Sequence, residues 1–425
     1  MNNKFISGVL TGIIGSMCVV CAVVFLNQAV LQPSGKKTAV ETTQGTTEDT
    51  AKGTTEKVED VVDSKKGEIE KKIDVLARYI DECYLDDVDT EKLVNGIYQG
   101  FMAGLGDPYS EYYTKEDYQS LMEMTSGKYC GIGASVSQSY ETGIITIVKP
   151  FEGGPANKAG ILPGDVLYKV NDKEVTGEDL QEVVATMKGE SGTKVTLEVV
   201  RDGEKEPLSF EVTREEIEVP SIEYKMLEDS IGYIAISGFE ENTDEQFTKA
   251  LAQLENKGMK GLVVDLRDNG GGLVDTVVNM LEHFLPKGKM IVYTKDKNGK
   301  GQEFKAQNED ELKVPMVVLM NGNSASASEI FAGAVQDYGI GTLVGTKSFG
   351  KGIVQNVIPM SDGTALKLTI AKYYTPNGRN IHKKGIEPDV KVELNDEAKK
   401  LITIPLEKDN QLQKAIGVVK SKMTE

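Results

Sequence analysis

Residues 314–330 read VPMVVLMNGNSASASEI, and they place two kinds of secondary structure next to each other. Residues 314–320 are apolar and of strand length, which predicts a buried strand. Turn residues follow at 321–323, and a helix is predicted from Ser324 onwards, because small and polar residues with a glutamate three positions after Ser326 are typical of a helix N-terminus. The stretch therefore predicts a buried strand, a tight loop and a helix in direct succession.

A second strand and loop of the same kind lie upstream. Residues 261–266, GLVVDL, predict another buried strand, which runs into the polar, glycine-rich loop RDNGGG at 267–272. A helical pattern at 273–284 and a strand at 290–293 follow. Repeats of strand, loop and helix build βαβ units. We therefore expect an α/β core with its functional groups where strands end and helices begin.

Ser326 lies at such a junction. Backbone N–H groups at a helix N-terminus are unpaired and carry partial positive charge, which suits a nucleophile and its oxyanion. A purely structural alternative is that Ser326 and Glu329 only form a capping box. The residue type and position therefore permit both a catalytic and a capping role.

The segment SFGKGIVQ, residues 348–355, supplies a candidate base. Lys351 stands between two glycines, so its side chain can enter a crowded site. Burial would lower the pKa of its amine, and a neutral amine can take the serine proton. Gln355, four residues later, is placed to orient that amine by a hydrogen bond. The alternatives are an exposed surface lysine and a glutamine on the open face of a strand.

Residues 128–213 contain short predicted strands, an amphipathic helix at 179–188 and several glycine-rich strings, among them GIGA at 131–134. Neighbouring glycines let successive backbone N–H groups converge on a carboxylate. A peptide would then add as a strand beside residues 134–136. The alternative is that Gly131 and Gly133 only serve a hairpin turn. The whole block resembles a PDZ domain, which implies that Gly131, Ile132, Gly133 and Ala134 bind peptide.

Together these motifs resemble the carboxyl-terminal processing (tail-specific) serine proteases, which carry an embedded PDZ domain. The resemblance covers roughly residues 70–395. Besides the PDZ strings it includes GLGDPYS (104–110), DLRDNGGG (265–272), NSASASEI (323–330), GTKSFGKGIVQ (345–355) and NGRNIHKKGIEPD (377–389). It implies a multidomain α+β fold with an N-terminal helical module (68–127), a PDZ domain (128–213), an α/β protease core of the crotonase/ClpP-like type (214–395) and a C-terminal helical segment (396–425).

The resemblance also implies roles for single residues. Ser326 corresponds to the nucleophile, Lys351 to the base and Gln355 to the residue that orients the base. The backbone amides of Ala327 and Gly271 correspond to the oxyanion hole. Gly270 stands where the family usually has proline, so the register at Gly271 is open by one residue.

The expected partners are also implied by this resemblance. They are protein or peptide substrates with a free C-terminus, whose apolar tail the PDZ domain captures. Relatives form dimers through their N- and C-terminal helices, which here correspond to the apolar face at 69–80 and the helix near 411–419. We therefore expect a homodimer.

The N-terminus predicts a membrane anchor. Residues 5–35 contain no charged residue, and the apolar stretch 5–31 exceeds the roughly 20 residues that span a bilayer. The alternative is a cleaved signal peptide, whose apolar region is usually only about 7–15 residues long. We expect a transmembrane helix at 1–32, a flexible linker at 33–67 rich in Thr, Lys, Glu and Gly, and a catalytic part outside the cytoplasm.

Composition excludes several functions. The 425 residues include 48 Lys plus Arg and 66 Asp plus Glu, a net charge of −18, which argues against a nucleic-acid partner. The only histidines are His283 and His382, and no HExxH motif occurs, so we expect no metal and no cofactor. Two functional alternatives stay open: a PDZ scaffold with an inactive α/β domain, and a serine hydrolase that uses His283 or His382 as base.

Overall fold

The computed structural model of the chain describes residues 57–309, 311–401 and 404–424. The predicted anchor at 1–32 and most of the predicted linker at 33–67 lie outside these residues. Within them, no helix is both long enough and apolar enough to cross a membrane. They form two units, 57–101 and 102–424.

The first unit consists of helix α1 (Val58–Cys83) and most of helix α2 (Thr90–Ala103). Helix α1 begins inside the segment predicted as linker, which corrects the boundary at residue 68. Glu59 and Asp60 in its first turn favour a helix N-terminus. No side chain of α1 is buried, so its apolar face is exposed within this unit.

The second unit begins with strand β1 (Glu111–Tyr113) and helix α3 (Lys115–Ser126). The PDZ-like region follows with β2 (Lys128–Gly131), β3 (Ala134–Gln138), β4 (Ile145–Pro150), α4 (Pro155–Ala159), β5 (Val166–Val170), β6 (Lys173–Glu174), α5 (Leu180–Met187), β7 (Lys194–Val200) and β8 (Leu208–Thr213). Its antiparallel sheet has the order β3-β4-β5-β7-β8, with β6 beside β5. The chain turns between β2 and β3 at Gly133, whose φ is 71°.

The remaining elements are β9 (Glu215–Glu218), β10 (Ile222–Met226), β11 (Ile231–Ile236), α6 (Thr243–Asn256), β12 (Gly261–Asp265), α7 (Val274–Leu281), β13 (Met290–Asp296), β14 (Glu303–Lys305), β15 (Met316–Met320), α8 (Ala327–Tyr338), β16 (Thr342–Gly345), β17 (Ile353–Pro359), β18 (Ala365–Tyr374), β19 (Val390–Lys391) and α9 (Asn410–Met423). The main sheet has the order β10-β11-β12-β15-β16-β19, and β11 to β19 are parallel. This is the α/β core that the two apolar strands predicted. Every residue of β12 and β15 is buried.

A second sheet has the order β1-β18-β13-β14, and β17 also pairs with β18. Strand β1 contributes through the register Glu111↔Lys367. The residues just before the PDZ-like region therefore belong to this second sheet, although the prediction placed them in a separate helical module (68–127). Sequence periodicity does not show such a pairing, because its partners lie far apart in the chain.

The C-terminal helix α9 packs on the main sheet of the same chain. Its apolar side chains Leu412, Ala415 and Val419 are buried against residues of β11, β12, β15 and β16. Arg267 binds both Asp265, at the end of β12, and Asp409, which caps α9. The face at 411–419 that the resemblance assigned to a dimer is therefore occupied within this chain.

Candidate active site

Two neighbouring parallel strands bring the predicted loops together. Strands β12 and β15 pair with Asp265 opposite Leu319, so their carboxyl ends lie at the same edge. The loops that follow are joined directly, because Ala325 N–H donates to Asn269 O at 3.0 Å. Ser328 Oγ donates to the same carbonyl at 2.9 Å. The glycine-rich loop and the start of α8 are therefore one hydrogen-bonded structure.

Ser326 is the residue immediately before α8, and its backbone conformation is unusual. Its φ of 54° and ψ of −114° lie in a region that non-glycine residues rarely adopt. Such strain persists only where surrounding contacts enforce it, and it is concentrated at functional sites. Here Ser326 N–H donates to Glu329 Oε2 at 3.0 Å, and Tyr373 Oη donates to Ser326 O at 3.0 Å. Both neighbours are almost fully buried.

Glu329 links Ser326 to the segment that carries Lys351. Its fully buried carboxylate also accepts Ser348 Oγ–H at 2.5 Å, Gly350 N–H at 2.8 Å and Lys351 N–H at 2.8 Å. Burial raises the pKa of Glu329, while these hydrogen bonds oppose that effect. The sequence suggested Glu329 only as a capping residue. Its contacts with residues 348–351 had no sequence signal, because they depend on the long-range fold.

Lys351 is largely enclosed, as the prediction required. Burial lowers the pKa of its amine, and the charge of Lys367 lowers it further. Glu111, Asp107 and Glu329 act in the opposite direction, but the balance leaves the pKa below the ordinary lysine value. Between Ser326 Oγ and Lys351 Nζ, both in the described part of the chain, no hydrogen bond is formed. The structure thus holds the two segments on one carboxylate without pairing the hydroxyl with the amine.

Gln355 has a different partner from the predicted one. It lies on β17 opposite Thr369 on β18, and its Nε2 donates to Thr369 Oγ1 at 3.4 Å. The register between the two strands shifts here, because Ile370 of β18 has no counterpart between Val354 and Gln355. The predicted contact of Gln355 with the Lys351 amine is not formed here, and its role stays a prediction.

Among the loop glycines, Gly271 lies against Ser326. A Cβ on Gly271 would meet Ser326 Cβ at 2.7 Å and Ala327 N at 2.9 Å, whereas one on Gly270 would meet nothing within 4 Å. This favours the predicted register. The Gly271 N–H donates to Asn269 Oδ1 at 2.8 Å, so an oxyanion would have to share or replace that bond. Ala327 is the first residue of α8, where the backbone N–H has no partner within the helix.

The predicted peptide-binding loop lies between β2 and β3. The carbonyls of Ile132 and Gly133 accept hydrogen bonds from Ala156 and Phe151, which fixes the loop. Tyr129, on β2, lies beside it. Burial raises the pKa of the Tyr129 phenol, and the amides of Ala134 and Gly133 oppose that effect. The amides expected to bind a carboxylate therefore face a polar oxygen of the chain itself.

Neither histidine is bonded to the serine. His283 Nε2 is 2.9 Å from Thr248 Oγ1, and its ring packs among Phe247 and Phe284. His382 lies beside the Lys351 segment, since a Cβ on Gly352 would meet His382 N at 2.5 Å. It is half-buried. Within the described residues, no hydrogen bond joins either imidazole to Ser326.

Comparison with known proteins gives three family matches. Peptidase family S41 matches residues 230–392, a PDZ domain matches residues 146–201, and the N-terminal domain of the activating protease CtpB matches residues 19–117.

Curated relatives and a solved structure agree with these matches. The carboxy-terminal processing protease CtpB of Bacillus subtilis (strain 168) is 40% identical over 79% of this chain and 70% of its own. The carboxy-terminal processing protease CtpA of the same strain is 43% identical over 74% and 67%, respectively. The structure of an S41 protease from Bacteroides fragilis has a TM-score of 0.52 at 16% identity, covering 76% of this chain and 90% of that one. It supports the fold alone.

Proposed function

The chain belongs to the carboxy-terminal processing proteases of peptidase family S41, and from this membership we propose that Ser326 attacks the substrate carbonyl while Lys351 accepts its proton. The predicted family is confirmed, and with it a serine-type C-terminal processing peptidase that contains a PDZ domain. The alternative of an inactive scaffold loses its basis. The residues of the site are our proposal.

The observation that carries this proposal is the shared carboxylate of Glu329. Through it, the backbone amides of Ser326 and Lys351 are fixed to the same buried group. Two residues that are 25 positions apart in the sequence are thereby tied to one point. A serine in a strained conformation and an amine with a lowered pKa are the two groups that a Ser–Lys site needs.

The proposed reaction proceeds in two stages. The neutral Lys351 amine takes the Ser326 proton as Oγ attacks the peptide carbonyl, and the resulting ammonium then protonates the leaving amine. Water hydrolyses the acyl-enzyme with Lys351 again acting as base. The amides of Ala327 and Gly271 stabilise the oxyanion, and Gln355 orients the amine in this scheme.

Substrate recognition is proposed to begin at the PDZ domain. A free C-terminal carboxylate would displace the Tyr129 oxygen and bind the amides around Gly133. The tail would then extend beside β3. This strand lies at the edge of its sheet and pairs with β4 on its other side. A strand with an unpaired edge can accept a peptide by β-augmentation.

We further propose a membrane-anchored homodimer with its catalytic part outside the cytoplasm. The uncharged stretch at 5–35 supports the anchor. The apolar side chains of α1, with Ile69 and Leu76 about half exposed, support self-association of the first unit.

The proposed nucleophile and base can be tested with a fluorophosphonate, which phosphonylates activated serines. Peptide mapping of the labelled full-length chain should place the adduct on Ser326, and Lys351→Ala should label at least about a hundredfold more slowly. Lys347→Ala, which removes a half-exposed lysine from the same segment, is the control. An adduct on another serine would overturn the nucleophile, and unchanged labelling of Lys351→Ala would overturn the base.

A further inference from the structure

The turn at residues 107–110 is attached to the sheet that carries Gln355. Tyr109 N–H donates to Asp107 Oδ1 at 3.1 Å, and Ser110 Oγ donates to Asp107 Oδ2 at 2.7 Å. The buried Ser110 Oγ in turn accepts Thr369 N–H at 3.0 Å, across 259 positions of sequence. The turn therefore has a defined place beside Thr369 on β18.

The polar groups around Thr369 have a fixed donor and acceptor order. Burial raises the pKa of Asp107, but hydrogen bonds from the Ser110 and Thr369 hydroxyls and from Tyr109 N–H lower it below its usual value. Asp107 is thus an ionised carboxylate, which can only accept. Thr369 is joined to this carboxylate through Ser110, whose Oγ donates to Asp107 and accepts Thr369 N–H, and Thr369 Oγ1 accepts Gln355 Nε2 at 3.4 Å.

This order determines which end of the Gln355 amide remains available. With Nε2 committed to Thr369, the acceptor Oε1 is the atom left for another partner. An acceptor is what the N–H groups of a neutral lysine require, because the lone pair of the amine must be directed at the serine. If the Gln355 amide were flipped, its NH₂ group would face the Lys351 amine. Two N–H donors would then face each other, and the amine could not be oriented for proton transfer.

The same turn also adjoins Lys351 itself. The Lys351 Nζ lies 4.9 Å from the centroid of the Tyr109 ring. The charged groups that face this amine are Lys367 on β18, Glu111 on β1, Glu329 on α8 and Asp107 in the turn. The turn thus contributes both an aromatic wall and a negative charge to the surroundings of the amine.

We propose that Asp107 and Thr369 are positioning residues, which set the orientation of the Gln355 amide and through it the amine of Lys351. This inference rests on the proposed Ser326–Lys351 site. It assigns a task to the GLGDPYS motif, which the sequence analysis gave only as one of the motifs of the family resemblance. Asp107 additionally acts on Lys351 through its charge.

The test uses the full-length chain and a fluorogenic peptide with a free apolar C-terminus. Thr369→Val removes the hydroxyl at constant size, and Thr369→Ser retains it. We expect Thr369→Val to lower kcat about tenfold at unchanged KM and Thr369→Ser to stay near wild type, since a misdirected catalytic group reduces the rate of chemistry. Thermal unfolding of both variants monitors the fold.

The pH profile supplies a readout that a merely structural role would not move. Asp107 raises the pKa of Lys351, so Asp107→Asn should move the acid limb of kcat to lower pH. Glu116→Gln, which removes an exposed negative charge from α3, should leave the limb in place.

The outcomes separate this inference from the proposed function. Wild-type kcat in Thr369→Val, or an unmoved acid limb in Asp107→Asn, beside an inactive Lys351→Ala, would overturn the inference alone. Wild-type activity of Lys351→Ala would overturn the proposed site and the inference with it.

Discussion

Lys351 N–H donates a 2.8 Å hydrogen bond to Glu329 Oε2, the same oxygen that accepts Ser326 N–H. One carboxylate oxygen therefore sets the distance between the backbones of the proposed nucleophile and base. The second oxygen, Oε1, holds Ser348 and Gly350. Four donors converge on this buried group, and no neutral side chain of the same shape can accept all of them.

Glu329→Gln should therefore impair both stability and activity. The glutamine NH₂ group would replace one carboxylate oxygen, and the two donors that this oxygen accepts would lose their acceptor. A hydrogen bond to a charged group is worth about 1.5–3 kcal/mol. We expect the free energy of unfolding to fall by about 2–4 kcal/mol and kcat to fall at least about tenfold. Urea unfolding and steady-state kinetics on the full-length chain measure both.

The exposed Glu116 on α3 is a suitable control for this change. Glu116→Gln should alter neither quantity measurably, because surface substitutions usually lie within about 0.5 kcal/mol. A Glu329→Gln protein with unchanged stability and unchanged kcat would contradict the bridging role of the carboxylate.

The charge of Lys367 should set the pH dependence of activity. Lys351 must be neutral to act as base, so kcat rises with pH through its pKa, which burial and Lys367 hold below 10.5. Lys367→Gln removes a positive charge that favours the neutral amine, so the pKa of Lys351 rises. We expect the acid limb of kcat to move to higher pH.

Lys305→Gln provides the comparison for this experiment, since Lys305 lies on β14 at the far side of the same sheet. It should leave the acid limb unchanged. A limb that stays in place in Lys367→Gln, or moves to lower pH, would show that another group titrates.

The buried ion pair between Arg267 and Asp409 should be needed for stability. Burial disfavours the charge of Arg267, but Asp265 and Asp409 outweigh this effect and raise its pKa. Asp409→Ala would leave part of that charge unpaired and remove the cap of α9. Breaking a buried pair costs about 3–5 kcal/mol. Urea unfolding should show a loss of this order.

Asp396→Ala removes an acidic residue of the same C-terminal segment whose side chain is 90% exposed. We expect a change below about 1 kcal/mol, because exposed ion pairs contribute little. Equal stability of Asp409→Ala and Asp396→Ala would rule out the structural role of the Arg267 pair.

Tail recognition should depend on the free carboxylate of the substrate. Amidation of the C-terminus removes a charge-assisted partner of the loop amides, so kcat/KM should fall about tenfold. Gly133→Ala should abolish this preference, because its φ is 71° and a Cβ would lie 3.0 Å from Ile217. Competition kinetics with paired acid and amide peptides measure the ratio.

Gly153→Ala is the matched control, since Gly153 has a φ of 70° but open space around it. It should keep the preference for the acid. Equal rates for acid and amide substrates in the wild-type chain would remove the argument for a carboxylate site in the PDZ domain.

The strands of the core were predictable because buried parallel strands have a strong local signature. Residues 261–266 and 314–320 are apolar runs bounded by turn residues, and both became central strands. The position of Ser326 at a helix start was also predictable, because turn residues and a helix N-terminal pattern follow the strand at 314–320. Local sequence also specified α5, whose apolar stripe contributes the buried residues Val183 and Met187.

The remaining features depend on contacts between distant parts of the chain. The pairing of Ser110 with Thr369 spans 259 positions, and no local pattern indicates it. The partner of Gln355 was missed because Thr369 lies on the neighbouring strand β18, and local sequence does not show which residues pair across strands. The start of α1 at Val58 was missed because its first turns are polar, so the segment resembles a linker in composition.

Mass spectrometry of cleavage products is the decisive measurement for Ser326 and Lys351. Wild type, Ser326→Ala and Lys351→Ala, each as the full-length chain, are incubated with an unstructured protein that ends in a free apolar tail. We expect products from wild type only, with tail binding retained in both variants. Products formed by Lys351→Ala at the wild-type rate, or by Ser326→Ala, would contradict the proposed Ser–Lys mechanism.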